Sequence, residues 1–322
     1  MLENSPRIRA ALRTLLSESG HPVNEVYRTL CRLATVHHAI LLEEPAYGFG
    51  RVLAEFAAAE IFGIPETTLH RHQDFTLLPS NGRPISVETA RQTLDRFGIG
   101  SAEGRRIVVW EDIDRMNTQG LNIFLKTLEE PESATLFLLT TANPESLLPT
   151  VVSRVLSVTL EEHLQKAVAR EMLRNLRPEE QEGFAHVSLH RPGLLEILLE
   201  EQGNKKTPLT DILHHCSQIA TDLVLGKPEG LLRAYKGILE LKELETARKK
   251  STHTDEYLWK PMELFCLIME GTLEKALIST TIEVYPTHIS RLATRLLQFK
   301  KDMQQSMNTK LSALDFIFGA TA

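Results

Sequence analysis

Apolar residues in the first half of the chain fall into four short continuous runs, separated by longer amphipathic segments. The runs show no alternation of apolar and polar positions, and turn-forming or acidic residues follow them. This pattern is typical of strands buried on both faces of a parallel sheet, so it predicts an α/β domain. The predicted strands are Ala39–Leu42, Phe75–Leu78, Ile107–Trp110 and Leu136–Leu139, with helices at Val52–Phe62 and, after Ser86 as N-cap, Val87–Phe97.

From residue 160 onward the pattern is helical. Thr159 and Glu162 have the spacing of a capping box, which predicts that a helix opens there. Further breaks are predicted at Pro178, Pro192, Pro208, Pro228 and Pro286. We therefore expect three domains: an α/β domain over residues 1–160, a small helical domain over 161–207 and a second helical domain over 208–322. The spacing of Leu292, Leu296, Leu297, Leu311 and Leu314 predicts helix packing in the last of these.

Composition narrows the function classes. A chain of 322 residues is long enough for two or three domains, and its net charge of −6 argues against strong nucleic-acid binding by the chain as a whole. Any DNA contact should use a local patch or be shared with other subunits. Cys31, Cys216 and Cys266 lack the spacing of a zinc site or disulfide framework and are predicted to be free buried thiols. With no apolar run of ~18–20 residues and a charged N-terminal segment, we expect a cytoplasmic protein without a membrane span.

The segment after the first predicted strand stands where a phosphate-binding loop would lie. A working loop follows G-x-x-x-x-G-K-[ST], in which the lysine and the hydroxyl residue contact phosphates and Mg²⁺. Here the corresponding positions hold Pro45, Gly48, Gly50, Arg51 and Val52. Proline lacks an N–H donor, arginine replaces a compact charge with a fork, and valine has no hydroxyl. Hydrolysis, passive nucleotide binding and a turn that has lost its ligand all remain open, and the substitutions favour the last.

A second acidic motif follows the third predicted strand, where Glu111 and Asp112 come directly after Trp110. An apolar strand ending in two acids is the pattern that orients Mg²⁺ and the attacking water in phosphoryl transfer. The usual order is aspartate and then glutamate, and the reversed order here fits a site that no longer hydrolyses nucleotide. The alternative is a pair of solvated acids at the end of a strand.

Three further motifs follow in a specific order: Leu125–Pro131, Phe137–Glu145 and Leu147–Arg154. Together with the loop and the acidic pair, they resemble the clamp-loader branch of AAA+ proteins, and within it the delta-prime subunits of bacterial DNA polymerase III. The resemblance is dense over residues 37–160 and faint near the C-terminus. It is supported by Ile85–Glu88 with Arg91, by Asp114–Asn117 and by Asn308–Asp315.

The resemblance implies roles for individual residues. Thr141 and Asn143 fall in the sensor 1 segment and are expected to be non-functional in a degraded site. Ser153 and Arg154 match the start of a Ser-Arg-Cys motif, in which the arginine acts as a finger on ATP held by a neighbouring subunit; Val155 replaces the cysteine. The alternative for Arg154 is a surface arginine at the end of a strand. A sensor 2 arginine is replaced by Leu194 or, in a looser alignment, retained as Arg191.

The resemblance also implies an AAA+ domain, a helical lid and a C-terminal collar, and a subunit with no cofactor of its own. ATP and Mg²⁺ would belong to a neighbouring subunit, and the partners would be motor subunits, a clamp-opening subunit, the sliding clamp and, indirectly, primer–template DNA. The family often carries a four-cysteine zinc module, but residues 62–75 contain no cysteine, and His70 and His72 lack further ligands nearby, so we expect no metal. The alternatives are an ATP-hydrolysing motor of the same complex and a solitary binding protein of AAA+ fold.

Overall fold

A computed structural model describes residues 5–45, 48–78, 88, 104–129, 135–174, 191–202, 208–250, 261–278, 286–304 and 308–319. The chain divides into two compact units, residues 1–197 and 198–322. The three-domain division with boundaries near 160 and 208 stays a prediction. The predicted helix over residues 87–97 and the resembling residues 85–91, apart from Glu88, lie outside the described part of the chain.

The first unit is built on a five-stranded parallel sheet whose order is β2-β3-β4-β1-β5. Its strands are β1 (Ala39–Glu43), β2 (Phe75–Leu78), β3 (Arg106–Trp110), β4 (Thr135–Thr141) and β5 (Leu156–Thr159). The four predicted strands are therefore confirmed. The pairing aligns Glu43 with Thr141 and Trp110 with Leu139, so β1, β3 and β4 end close together at one edge of the sheet. This edge carries the candidate site.

The helices of residues 5–202 follow in chain order, and the last of them crosses the boundary between the two units. They are α1 (Pro6–Ser17), α2 (Pro22–Val36), α3 (Gly50–Phe62), α4 (Thr118–Glu129), α5 (Pro149–Val152), α6 (Glu162–Leu173) and α7 (Pro192–Gln202). The α4 side of the core is aromatic: Trp110, Phe124 and Phe137 pack edge to face, with centroid distances of 5.2 and 5.4 Å. Predicted helix Val52–Phe62 is confirmed, although it begins two residues earlier, at Gly50.

The start of α6 differs from the prediction. Thr159 is the last residue of β5 rather than a helix N-cap, and Glu161 precedes the first helical residue. The capping box is therefore wrong. The strand was not predicted because Leu156 and Val158 alternate with the exposed Ser157 and Thr159, as expected for an edge strand, whereas the predicted strands are continuous apolar runs.

The second unit is helical throughout its described residues. It contains α8 (Pro208–Leu225), α9 (Pro228–Lys250), α10 (Pro261–Ile278), α11 (Pro286–Gln304) and α12 (Thr309–Phe318). Proline lies at the first position of α7, α8, α9 and α11, as predicted, because its missing N–H costs nothing in the first turn. Pro178 lies outside the described residues. Cys216 and Cys266 are buried free thiols, whereas Cys31 is only half-buried.

The leucines predicted to pack in the second unit divide into two groups. Leu292 and Leu296 are buried, but Leu297 and Leu311 are more than half exposed and Leu314 is also exposed. The packing prediction is therefore wrong for these three within this chain. No helix among the described residues combines the length and apolar character needed to cross a bilayer.

Candidate functional site

The degraded phosphate loop joins the end of β1 to the start of α3, and a carboxylate of the protein itself lies against it. The backbone N–H of Gly50 donates a hydrogen bond of 2.7 Å to Oε2 of Glu44. A methyl group added to Gly48 would lie 1.9 Å from Oε2, and one added to Gly50 would lie 2.6 Å from Oε1. Backbone N–H groups at a helix N-terminus are the donors that phosphates use. In this loop, one of those donors is taken by Glu44.

The Glu44 carboxylate is held in an unusual environment for a charge. Burial raises its pKa to about 8, against the opposing hydrogen bond from Gly50, and the neighbouring charge of Asp112 raises it further. Part of the Glu44 residue still contacts solvent. Gln165, which is fully buried, also hydrogen-bonds Glu44, and its Oε1 has no partner among the described residues.

Arg51, which stands at the lysine position, is buried and turned inward. Its Nη1 lies 2.7 Å from Oε1 of Glu55, its Nη2 donates to Oγ of Ser5 at 3.1 Å, and its Nε lies 3.3 Å from Oε1 of Glu111. All three nitrogens of the guanidinium therefore have partners within the protein. Val52 is buried in the core, so the hydroxyl position supplies an apolar contact instead of a magnesium ligand.

Glu55 is the centre of this buried network, which sequence analysis missed. It is fully buried and pairs with Arg9 and Arg51, and its Oε2 lies 3.0 Å from Nε2 of His70. Arg9 also pairs with Glu66. Burial alone would raise the pKa of Glu55, but the His70 hydrogen bond and the two arginines lower it overall. A glutamate four residues after Arg51, in a mostly apolar helix, is the signal that could have revealed it.

The acidic pair after β3 is likewise engaged by arginines. Glu111 contacts Arg51, and Arg115 donates from Nε to Oδ2 of Asp112 at 3.0 Å. Asp112 adopts a left-handed conformation with φ 52°, and its N–H donates to Oγ1 of Thr140. Both predicted Mg²⁺ ligands therefore have cationic partners at the edge of the sheet where the nucleotide of a working site would bind.

The sensor 1 residues lie at the same edge. Thr141 is fully buried, donates from Oγ1 to Oδ1 of Asp114 at 3.0 Å and accepts from the N–H of Asn143 at 3.2 Å. Burial, together with the charge of Asp112, raises the pKa of Asp114. Of the two sensor 2 candidates, Leu194 is fully buried in α7, whereas Arg191 precedes the helix and is half-buried.

Arg154 lies in a different environment. It follows α5 and precedes β5, with its side chain 35% exposed. Its Nη1 donates to the carbonyl of Thr150 at 2.9 Å and to Oγ of Ser153 at 3.3 Å, and its Nη2 lies 2.6 Å from Oε1 of Glu129. The exposed Ser153 donates to the same Thr150 carbonyl. Val155 packs against the aromatic core, as its apolar character predicts.

The two histidines that prompted a metal hypothesis have other contacts. His70 pairs with Glu55, while His72 stacks on Phe62 with centroids 4.0 Å apart and accepts from the N–H of Asp74. Within the described ranges, no cluster of three or more His, Cys, Asp or Glu residues has the arrangement of a metal site.

Comparison with known proteins gives related matches over the α/β part of the chain. Residues 25–163 match the family described as "DNA polymerase III, delta subunit". The delta-prime subunit of Pseudomonas aeruginosa DNA polymerase III is 35% identical over 136 residues, which are 36% of this chain and 41% of that protein. The Yersinia pestis delta-prime subunit is 40% identical over 86 residues, 26% of this chain and 25% of that protein.

Tau subunits also match. The tau subunit of Salmonella typhimurium DNA polymerase III is 33% identical over 113 residues, 35% of this chain and 16% of that protein. A solved gamma subunit-related protein from Thermotoga maritima is 19% identical, covers 91% of this chain and 98% of its own, and has a TM-score of 0.45.

The matched stretches span well under half the length of these curated relatives. The family match over residues 25–163 includes the parallel sheet, the phosphate-loop segment, the acidic pair and the segment ending in Arg154. The sheet followed by helices agrees with the predicted AAA+ fold class. Over residues 25–163, the chain is similar to the DNA polymerase III delta-subunit family, and its curated relatives at 35–40% identity are DNA polymerase III delta-prime subunits.

Proposed function

We propose that this chain is a non-hydrolysing subunit of a DNA polymerase III clamp loader and supplies Arg154 as an arginine finger to ATP bound by a neighbouring subunit. The observation that carries the proposal is the contrast between two arginines. The guanidinium of Arg51 is bound by Glu55, Ser5 and Glu111 inside the protein. Arg154, in contrast, is partly exposed, and its acidic partner also lies at the surface.

The chain's own loop lacks the chemistry for hydrolysis. Glu44 takes an N–H that a phosphate would need, and its side chain fills the space beside Gly48 and Gly50. Arg51 would have to leave a buried ion network to reach a phosphate, which is costly because it would give up its contacts with Glu55, Ser5 and Glu111. Val52 offers no oxygen to Mg²⁺. These three features support a subunit without a cofactor of its own.

Arg154 has the properties that a finger needs. A guanidinium matches the geometry of phosphate oxygens, and a finger supplied from outside the nucleotide's own subunit is worth ~10³–10⁵ in rate. The partners implied are motor subunits that hold ATP and Mg²⁺, a clamp-opening subunit, the sliding clamp and, indirectly, primer–template DNA, all acting in the cytoplasm. The exposed Leu297, Leu311 and Leu314 fit a helical collar whose packing is completed by other subunits.

The similarity to tau subunits favours a second candidate, an ATP-hydrolysing motor of the same complex. The internal partners of Gly50 and Arg51 argue against it, because a motor needs both groups for phosphate.

Reconstitution tests the proposal. This chain would be mixed with the tau-type motor subunits and clamp-opening subunit of the same organism, and ATP turnover on primed DNA with the sliding clamp would be measured with and without it. We expect co-purification, no turnover by the isolated chain and a clear rise in turnover when it joins the complex. Turnover by the isolated chain would support the motor instead, and failure to co-purify would support a solitary binding protein.

A further inference from the structure

Glu129 is the last residue of α4 and belongs to the Leu-Glu-Glu-Pro run, whose role the proposed function leaves open. Its carboxylate is the acidic partner of Arg154, with 2.6 Å between Oε1 and Nη2. Both side chains reach solvent, Glu129 being 49% and Arg154 35% exposed. The pair therefore lies on the surface, where a neighbouring subunit could meet it.

The groups that hold Arg154 belong to two helices that pack in the same hydrophobic core. The carbonyl of Thr150 belongs to α5, while Glu129 ends α4. Leu128 of α4 and Val151 of α5 are both buried in the same aromatic cluster, so the two anchor points are fixed relative to each other. Two anchors on a rigid base define the plane of the guanidinium as well as its position.

The anchoring leaves part of the guanidinium available. An arginine carries five N–H groups. Three are accounted for by the bonds to Thr150, Ser153 and Glu129. Two N–H groups therefore remain without a partner in the described part of the chain, which is the number that a bidentate contact with a phosphate requires.

The energetics favour an orienting role over a stabilising one. An exposed ion pair contributes roughly 0–1 kcal/mol to folding, so Glu129 adds little to the stability of the domain. A long arginine side chain, however, carries ~2 kcal/mol of rotamer entropy, and a group that acts on a transition state must be held within ~0.5 Å of its productive position. Partial ordering before the neighbour's ATP arrives reduces that entropic cost.

We propose that Glu129 is a positioning residue for Arg154: it holds the guanidinium against α5 so that the remaining N–H groups are presented to the γ-phosphate of a nucleotide on the adjacent subunit. This inference rests on the proposed finger role. It assigns a function to the last helical residue of the Leu-Glu-Glu-Pro run, which contacts no nucleotide itself.

The test is a double-mutant cycle in the reconstituted complex. Glu129→Ala should lower ATP turnover about three- to tenfold with little change in KM for ATP, because orientation in the transition state is lost. Glu129→Gln, which keeps an acceptor oxygen, should retain most of the turnover. In an Arg154→Ala background, neither change should have any further effect. Glu162→Ala, which removes an exposed acid paired with Lys166 on α6, is the matched control and should leave turnover unchanged.

The outcomes separate the two proposals. If Arg154→Ala lowers turnover but Glu129→Ala does not, or raises it, the positioning role is overturned and the finger survives. If Arg154→Ala has no effect, the proposed function itself fails. An effect of Glu129→Ala that persists without Arg154 would show that the carboxylate acts on something else. Thermal unfolding of the free chain should be nearly identical for all Glu129 variants, which excludes a folding defect.

Discussion

Arg51 lies in α3, just after β1, and Arg154 lies just before β5, the strand that pairs with β1, yet their surroundings differ in nearly every respect. Arg51 is 5% exposed and pairs with the fully buried Glu55, while Arg154 is 35% exposed and pairs with a half-exposed Glu129. Removing one partner of a buried pair costs about 3–5 kcal/mol, whereas an exposed pair is worth roughly 0–1 kcal/mol. Burial therefore makes the first arginine part of the fold, whereas the second remains partly accessible from solvent.

The largest expected effect of changing either arginine is on ATP hydrolysis by a neighbouring subunit. Arg154→Ala should slow hydrolysis at the one ATP site that borders this chain by ~10³-fold, because charge developing in phosphoryl transfer loses its guanidinium. Single-turnover kinetics of the reconstituted complex should show one fraction of the bound ATP reacting slowly and the rest unchanged. Arg174→Ala, at an exposed arginine paired with Glu171, is the control. Equal kinetics for both variants would contradict the finger assignment.

The next largest effect is on the stability of the first unit, in which Arg51 is buried. Glu55→Ala leaves Arg9 and Arg51 without their buried partner and should destabilise the first unit by about 3–5 kcal/mol. Glu60→Ala removes an exposed acid from the same helix and should change stability by less than ~0.5 kcal/mol. Urea denaturation of the free chain measures both. Similar midpoints for the two variants would mean that the network adds nothing to the fold.

A smaller effect on stability is expected from a change in the degraded phosphate loop. Gly50→Ala places a methyl group 2.6 Å from Oε1 of Glu44 and should destabilise the chain by about 1–3 kcal/mol. ATP turnover of the complex should stay the same, since the proposed function places no nucleotide in this loop. Adding Glu44→Ala should recover most of the lost stability by removing the clash. Gly120→Ala, where the nearest atom is 3.4 Å away, is the control. Lost turnover with intact folding would show that the loop still has a ligand.

The smallest effect concerns pH. The pKa of Glu44 is raised from 4.5 to about 8 in the folded chain, so folding retains a proton that the unfolded chain releases in this window. Stability of the wild type should therefore fall as pH rises from about 5 to 8. Glu44→Gln keeps an acceptor for Gly50 and should remove that part of the loss, giving a Tm advantage of a few degrees that grows toward pH 8. A Tm difference independent of pH would contradict the shift.

Continuous apolar runs correctly predicted four strands, and prolines correctly predicted the starts of four helices. The strands at Ala39, Phe75, Ile107 and Leu136 were found because strands buried on both faces need uninterrupted apolar residues. Edge strand β5 was missed because half of its residues face solvent. The helix boundaries at proline were found because a missing N–H is tolerated only in the first turn.

The candidate site was predictable only in part. The changed residues at positions 45, 51 and 52 show in sequence that a ligand has been lost, but they do not reveal what replaces it. In particular, the sequence does not show that Glu44 takes the N–H of Gly50. The Arg9–Glu55 pair joins residues 46 positions apart, a separation at which no local spacing rule applies. Arg154 was identified through its motif, whereas its contact with Glu129 depends on how α4 and α5 pack.

Photolabelling with an azido-ATP analogue in the reconstituted complex tests the central contrast most directly, because it records which subunit holds nucleotide. The account predicts label on the motor subunits and none on residues 39–62 of this chain, with the same distribution when Arg154 is changed to alanine. Saturable labelling within residues 39–62 would contradict it, since the loop would then bind the nucleotide that Glu44 and Arg51 are inferred to exclude.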